Sequence, residues 1–305
     1  MSYFPGHNYF LRFAESSGNS VNESTGALMA STAIAAADDI GYTSPNSVTH
    51  NEGTKIGYAA GRRTGSYAAR GNRVHTLTAE LKLGSLDFIK DNCVQMNDAL
   101  PWLDLYYGVS NQWSRGLYSA RCSKVSLNFQ EGEAQELTAS ATFEAIASAE
   151  APTIITAYDY QEFGPALLWT DVRQFSVNGT AIRDKVTSLS VDIDHQLERK
   201  GMRPDFGDNV PGSRTSYSLL PHHAAVTGSL ALHDLPTIEA QLFTSGANAM
   251  QWSDIVVQAR DVANTTTYNV TIVNPRPTGR TQDATGSEAQ MAFTVPFVAD
   301  KITIG

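Results

Sequence analysis

The chain has 305 residues, of which 42% are hydrophobic and 17% charged, as in an ordinary globular protein. Its net charge of −9 argues against a protein that binds nucleic acid tightly, because affinity for phosphate comes chiefly from an excess of Lys and Arg. Residues 1–13 lack the apolar segment of a signal peptide, and no apolar run reaches the roughly 18 to 20 residues of a membrane span. We therefore expect a protein without a membrane partner that is made and folded in a cytoplasm.

Alternation of apolar and hydrophilic residues is the dominant pattern of the chain. It predicts half-buried antiparallel strands, because successive side chains of a strand point to opposite faces. Before these strands, residues 26–40 are rich in Ala and fit either a short helix or a flexible loop. Within the second half, Asn178-Gly179 predicts a hairpin turn. The clearest alternating segments are 77–83, 125–130, 137–145 and 188–194.

The sequence also repeats itself. Residues 77–92 align with 226–241 at five identical positions of sixteen, and each copy predicts an alternating strand that leads into a short amphipathic helix. Ser85 and the residue aligned with it are suited to cap these helices. Near the end of each half a strand closes on Phe143-Glu144-Ala145 or on Phe297-Val298-Ala299. The internal duplication predicts two domains, 1–152 and 153–305.

The search for chemistry gives no catalytic motif. GxSxG, HExxH and GxxxxGK[ST] are all missing from the sequence, so we expect a protein that is not an enzyme and uses no cofactor. Cys93 and Cys122 are too few for a disulfide-stapled scaffold, and we interpret both as buried apolar residues. The adjacent His222-His223 would point to opposite faces of a strand, which disfavours a metal site. Asp192 and Asp194 share one strand face, which a solvated surface explains as well as a carboxylate pair does.

A basic loop that contains Gly precedes the repeated strand in each half. Its cations could contact phosphates, could simply be solvated, or could dock on an acidic patch of a neighbouring copy. The negative overall charge favours docking between subunits over the gripping of DNA. The candidate docking residues, placed between stacked rings if the chain forms them, are Arg62, Arg63, Arg70 and Arg73 in the first half, and Arg199, Lys200, Arg203 and Arg214 in the second.

The stretch 118–129, followed by 131–133 and 136–143, forms a pattern in which a Gly-Glu turn precedes a Leu-Thr-Ala strand. This pattern resembles the tail-tube proteins of long, non-contractile-tailed bacteriophages, as do the opening strand at 8–17 and the closing strand at 295–299. The resemblance covers nearly the whole chain as an order of strands and turns. The segments that depart from the pattern are the Ala-rich residues 26–40 and a long loop at 196–222.

The resemblance implies a mainly β fold with two tandem tail-tube-type β-sandwich or barrel domains, each with a short flanking α-helix. It also implies stacked rings that form a hollow conduit for DNA. Single-domain subunits of this family form hexameric rings, so a duplicated chain is expected to form a trimer that mimics a hexamer. The implied partners are other copies of the chain, the tape-measure protein, and the tail terminator and tip proteins. The implied location is the virion tail, assembled in the host cytoplasm.

A lumen that conducts duplex DNA should be hydrophilic and not cationic, because each phosphate contact would retard passage. We therefore expect the hydrophilic strand faces to line it and their opposite faces to fill the core. The candidate lumen-facing residues are Thr78, Glu80, Ser140, Thr142, Glu144, Ser190, Asp192 and Asp194.

Two other readings of the sequence stay open. One is the tube of a contractile injection machine, against which the fused duplication argues. The other is a two-domain β-sandwich adhesin or carbohydrate-binding module, for which an exposed aromatic platform is expected, whereas the four Trp are scattered. An enzyme is the least favoured class.

Overall fold

Antiparallel strands make up most of the structure. The computed structural model describes residues 9–16, 38–39, 42–51, 55–57, 67–69, 74–82, 84–94, 100–109, 113–132, 135–150, 167–204, 214–233, 252–260, 266–283 and 292–305. Strands predominate in these segments, so the predicted mainly β fold is confirmed. The predicted opening and closing strands are both present, at Tyr9–Ser16 and Ala292–Ala299.

The elements are labelled in chain order. In the first half they are β1 (Tyr9–Ser16), β2 (Asp38–Asp39), β3 (Tyr42–Asn51), β4 (Lys55–Gly57), β5 (Tyr67–Ala69), β6 (Val74–Lys82), α1 (Asp87–Asn92), β7 (Trp102–Val109), β8 (Trp113–Gln130) and β9 (Thr138–Glu150). In the second half they are β10 (Val172–Val177), β11 (Thr180–Ala181), β12 (Val186–Asp194), β13 (Glu198–Pro204), β14 (Arg214–Leu220), β15 (Ala225–His233), β16 (Asp254–Arg260), β17 (Thr267–Val273), β18 (Arg276–Pro277), β19 (Thr281–Asp283), β20 (Ala292–Ala299) and β21 (Lys301–Ile304). One-turn 3₁₀ helices precede β10 and β12, at Trp169–Asp171 and Arg183–Lys185.

Most strands belong to one twelve-stranded sheet. Its main path runs β18-β20-β15-β12-β8-β7-β1-β2, and a branch runs from β8 through β9 and β6 to β3, while β19 also pairs with β20. A five-stranded sheet has the order β11-β10-β16-β17-β21, and the hairpins β4–β5 and β13–β14 form two further sheets. Antiparallel pairing throughout allows one face of each sheet to be apolar and the other hydrophilic, as the alternation predicts.

The same strand pairings occur in both halves, in the same chain order. In the first half β1 pairs with β7, β3 with β6, β6 with β9, β7 with β8, and β8 with β9. In the second half β10 pairs with β16, β12 with β15, β15 with β20, β16 with β17, and β18 with β20. This recurrence agrees with the repeat in the sequence, and it allows each strand of one half to be matched with a strand of the other.

The sheet register shifts the predicted alignment by two residues. Phe143 pairs with Leu77 in the first half, whereas Phe297 pairs with Gly228 in the second. If the closing strands are matched at Phe143 and Phe297, Leu77 therefore corresponds to Gly228 and not to Val226. The sequence could not distinguish the two alignments, because a shift of two residues leaves every side chain of a strand on the same face.

The long strand β8 bends and serves two parts of the sheet. Its first part pairs with β7 and its last part with β12, while β9 follows it on the other side. Ser119 has a φ of 51° at the bend, and its backbone N–H donates to the buried carboxylate of Asp104 at 3.1 Å. In the second half Asn274 has a φ of 50° between β17 and β18. A positive φ is uncommon outside Gly, so its occurrence at both residues indicates that they mark the same bend in the two halves.

The two halves of the chain share a sheet and a core. Lys124–Gln130 of β8 pairs with Ser188–Asp194 of β12, and this seam joins the second half to the first. Most of the buried apolar side chains form one cluster that extends from Leu11 in β1 to Ile304 in β21, and Ile146 and Leu219 form a small second cluster. The predicted domain boundary at 152/153 falls outside the described residues and stays a prediction.

The short helix of the first half is present, but its cap differs from the prediction. α1 begins at Asp87 with Leu86 as the N-cap residue, and no side chain caps it. Ser85, the predicted cap, stands one residue earlier, where its Oγ accepts the N–H of Asp87 at 3.4 Å. Ile89 is buried against the core, as its spacing predicts. The second predicted helix lies in 234–251, outside the described residues.

Two local predictions have opposite outcomes. Asn178-Gly179 joins β10 to β11 with φ values of 52° and 73°, so the predicted hairpin turn is confirmed. The long loop predicted at 196–222 is wrong for much of its length, because β13 and β14 pair within it. Their charged residues and Gly replace the alternation by which other strands are predicted. Of the Ala-rich 26–40, the structure describes Asp38–Asp39, which forms β2.

Candidate assembly surface

The eight residues predicted to line a lumen share one face of the twelve-stranded sheet. Directly opposed residues of antiparallel strands hold their side chains on the same side. Such pairs run from Glu80 through Ser140 and Ser126 to Asp192, and so continue from the first half into the second. Alternation along β6, β9 and β12 places on the same face Thr78, Thr142, Glu144, Ser190 and Asp194. That this face borders a lumen stays a prediction.

Hydroxyl groups connect neighbouring strands across this hydrophilic face. Thr78 Oγ1 and Thr142 Oγ1 lie 3.1 Å apart, between β6 and β9. Ser190 Oγ and Ser229 Oγ lie 2.9 Å apart, between β12 and β15. Each hydroxyl can both donate and accept, so these pairs satisfy partly buried polar groups without adding charge to the face.

The two aspartates on this face are each held by β8, across the seam. Burial alone would raise the pKa of Asp194, but hydrogen bonds from Lys124 and from the backbone N–H of Gln196, with the charge of Lys124, bring that pKa below its ordinary value. Lys124 Nζ lies 2.9 Å from Asp194 Oδ2, in a well-exposed pair worth at most about 1 kcal/mol. Asp192 accepts a hydrogen bond from Ser126 Oγ. These separate partners fit a solvated surface and not an acid–base pair.

One end of the hydrophilic face is covered by the hairpin β13–β14. Arg199 Nη2 lies 2.7 Å from Glu144 Oε2, and the two side chains are only 16% and 27% exposed. Arg121 Nη1 donates to the carbonyl oxygen of Leu219 at 2.8 Å, and its guanidinium lies 3.9 Å from the ring centroid of Trp102. We call this set of contacts the hairpin contact. It attaches a segment of the second half to β8 and β9 of the first.

The hairpin contact changes the status of two predicted residues. Glu144 is not an open hydrophilic position, because the guanidinium of Arg199 partly covers it. Arg199, predicted to dock between rings, is bound within its own chain. Lys200, Arg203 and Arg214 lie in β13 and β14, but their side chains are outside what the structure describes. The first-half loop cations also lie outside the described residues: Arg62, Arg63, Arg70 and Arg73.

Arg121 cannot be recognised as a buried contact residue from the sequence, because a buried arginine has the same sequence appearance as a solvated one. In the strand alternation, Arg121 occupies a place between Ala120 and the buried Cys122, in a run that is buried almost throughout. Its opposed partner on β9 is Glu144. The one sequence signal for a buried contact at Arg121 is a charged residue within so apolar a strand. That signal becomes informative only once the neighbouring strand is known.

His195 is a second functional candidate that the sequence did not indicate. Its Nε2 lies 2.7 Å from the carbonyl oxygen of Cys93, and its backbone N–H donates to the carbonyl of Ser123 at 2.9 Å. Burial lowers the pKa of His195, although the bond to Cys93 and the charge of Asp194 act in the opposite direction. The neutral ring therefore donates its Nε2–H to Cys93 and ties the end of β12 to the segment after α1.

The described residues offer little for chemistry. Cys93 and Cys122 are free and buried, as predicted, and burial raises the pKa of the Cys93 thiol. His222 Nε2 lies 2.7 Å from Glu198 Oε2 in an exposed pair. Within the segments that the structure describes, no cluster of three or more His, Cys, Asp or Glu residues could hold a metal ion. No helix in those segments has the length and apolarity to cross a membrane.

Fold and surface together define a mainly β protein with a repeated set of strand pairings, one shared core and a continuous hydrophilic sheet face. No family model matches the chain, and no curated protein matches it.

Proposed function

We propose that the chain is a structural subunit of a hollow tube, the tail tube of a long-tailed bacteriophage, in which three copies close into a ring. The observation that carries this proposal is the seam, where the edge strand of one half pairs with β8 of the other. A chain that contains two matched halves has already made one junction of a repeating assembly. The next junction is expected to form between chains.

The strands available for that next junction follow from the repeat. β12 corresponds to β3, and the last part of β8 corresponds to β18 and β19. Among the described residues β3 pairs with β6 alone, and β18 and β19 pair with β20 alone, so each presents one edge without a strand partner. An unpaired edge is a template for pairing with another chain. Because the two edges differ, the contact is head-to-tail, and it closes into a ring when its rotation permits.

The matched pairings of the two halves predict the register of the proposed junction. At the seam Ser126 pairs with Asp192. Ser126 lies opposite β9 at the place where Thr281 lies opposite β20. Asp192 lies opposite β15 at the place where Thr49 lies opposite β6. Thr281 of one copy should therefore pair with Thr49 of the next.

The size of the ring suits a conduit. Eight strand positions of each chain lie in one continuous path, namely β18/β19, β20, β15, β12, β8, β9, β6 and β3. Three chains would supply twenty-four strands. With strands about 4.8 Å apart and tilted by up to about 40°, the barrel would be roughly 35 to 50 Å across at the backbone. The hydrophilic face would line it, with Lys124 offset by Asp194, so that passing DNA meets few free cations.

Under this proposal the chain has structural partners and no substrate. Stacked rings would form the tail, a tape-measure protein would occupy the lumen during assembly, and terminator and tip proteins would bind the ends. The place of action would be the virion tail, after assembly in the host cytoplasm. DNA would pass without sequence recognition, since no base-reading element is needed.

A register-specific disulfide tests ring closure. The full chain with Thr49→Cys and Thr281→Cys should form disulfides between copies, because opposed residues of neighbouring antiparallel strands lie within bonding range. On a non-reducing gel the ladder should stop at three chains of 33.0 kDa. The matched control is Ser47→Cys with Thr281→Cys, which is two residues out of register and should cross-link far less.

Native mass spectrometry and negative-stain electron microscopy complete the test. Rings of three chains with pseudo-sixfold appearance are expected, alone or stacked into hollow filaments. A ladder that continues past three chains would refute closure. A monomer that persists at high concentration and binds glycans would refute the tube and favour the adhesin or carbohydrate-binding class.

A further inference from the structure

Among the residues that the structure describes, the hairpin contact occurs once, although the strands that make it are repeated. In the first half Arg121 on β8 is directly opposite Glu144 on β9. Both are covered by the hairpin of the second half, through Leu219 and Arg199. The same two-strand surface exists again in the second half, and it can be compared residue by residue.

The second copy of this surface is exposed. Arg276 on β18 is directly opposite Val298 on β20, as Arg121 is opposite Glu144. Arg276 follows the bend at Asn274 by two residues, as Arg121 follows the bend at Ser119. Arg121 is only 7% exposed, whereas the side chain of Arg276 is 57% exposed. Val298 is 41% exposed and is one of the few large hydrophobic side chains on the described surface.

The hairpin that would cover this surface is also present in the chain. β4 begins four residues after β3 ends, as β13 begins four residues after β12 ends. β5 ends five residues before β6, as β14 ends five residues before β15. Ile56 pairs with Ala68 in the first hairpin, and Arg199 pairs with Leu219 in the second. Ile56 and Ala68 thus hold the register positions of Arg199 and Leu219.

The residue types change together on the two sides of the contact. Within the chain a cation on the hairpin, Arg199, meets an anion on the sheet, Glu144. At the matched positions both residues are apolar, Ile56 on the hairpin and Val298 on the sheet. The other bond, from an arginine to a backbone carbonyl, needs no particular hairpin side chain. Arg276 pairs with Asp300 at 3.2 Å, and the remaining N–H groups of its guanidinium can donate such a bond.

We propose that the hairpin β4–β5 of a second copy of the chain docks on the surface of Arg276 and Val298, with Ile56 against Val298 and Arg276 bound to the Ala68 carbonyl. The proposal rests on the head-to-tail ring described above, which brings the first half of one copy beside the second half of the next. Each junction between copies then consists of a strand pairing and a hairpin arm, as the seam within the chain does.

A charge-pair transplant tests the assignment. Val298→Glu alone and Ile56→Arg alone should each weaken association about tenfold, because each places an unpaired charge in an apolar contact. The double variant should regain association to within about threefold of wild type, because it recreates the Arg199–Glu144 pair at the matched positions. Gln174→Glu, an exposed substitution on the five-stranded sheet, is the control for added charge and should associate as wild type.

Association is measured by sedimentation velocity over a concentration series, with thermal unfolding as a check that each variant folds. Rescue in the double variant supports the proposal. Wild-type association of both single variants would overturn hairpin docking and leave the ring standing. Loss in both single variants without rescue would overturn the pairing of Ile56 with Val298. A wild-type chain that never associates would overturn the ring and the hairpin docking together.

Discussion

Replacing Arg121 with Ala should destabilise the native chain by about 2 to 4 kcal/mol. The interactions lost include the charge-assisted hydrogen bond to the Leu219 carbonyl, worth about 1.5 to 3 kcal/mol, and the stacking on Trp102, worth about 1 to 2 kcal/mol. Relief from burying the guanidinium offsets part of this sum. The free energy of unfolding is obtained by urea denaturation at a concentration where the chain is monomeric.

Arg276→Ala is the matched control, because Arg276 holds the same place in the second half. Its side chain is 57% exposed and pairs with Asp300 at 3.2 Å, so its loss should cost less than about 1 kcal/mol in the monomer. Hydrogen exchange in Arg214–Leu220 should accelerate in Arg121→Ala and stay unchanged in Arg276→Ala. Equal destabilisation by the two variants, or an unchanged hairpin in Arg121→Ala, would refute the role given to Arg121.

Three further predictions concern packing, pH and thiol access. Gly228→Ala should destabilise by about 1 to 3 kcal/mol in urea, because the new Cβ would lie 2.5 Å from the Ser190 carbonyl oxygen and 2.5 Å from the Phe297 ring. Burial lowers the pKa of His195 in the native chain, so below about pH 6.5 the unfolded chain binds a proton at His195 more readily than the native chain does. The free energy of unfolding should therefore decline as the pH falls, and His195→Gln should reduce that decline. The thiol of Cys93 should react with a thiol reagent only on unfolding, because it is buried and its pKa is raised.

The packing and pH predictions each have a control variant. Gly279→Ala should change the free energy of unfolding by less than about 0.5 kcal/mol, because the nearest atom to its new Cβ is 3.9 Å away. His223→Gln, at an exposed histidine, is the control for the loss of a histidine side chain. The packing prediction is contradicted if the Gly228 variant is as stable as the Gly279 variant. Equal pH slopes for the two histidine variants would contradict the role given to His195. Fast labelling of the native Cys93 thiol would contradict its burial.

Strand positions could be predicted from the sequence wherever one face is buried. Leu127 and Phe129 in β8 and Leu189 and Val191 in β12 are all buried, and alternation alone indicates these strands. The hairpin β13–β14 could not be predicted in this way. Its pairing depends on backbone hydrogen bonds between segments that carry charge and Gly, so it leaves no apolar stripe.

The hydrophilic face could be predicted residue by residue, but not its partners. That Asp192 and Asp194 lie on one face follows from their spacing, whereas their contacts with Ser126 and Lys124 depend on which strand comes to lie beside β12. The covering of Glu144 by a distant arginine has the same origin. Sequence spacing reports contacts within a strand, and contacts across a sheet require the register.

The seam has a consequence for how the molecule comes apart. Two modules joined by a linker unfold separately, but here one apolar cluster and one sheet cross from the first half into the second. Separating the two halves would remove the strand partner of Lys124–Gln130. The edge of that strand and its apolar side chains would then be exposed to solvent. We therefore expect the two halves to form a single cooperative unit, which melts in one transition and aggregates when halved.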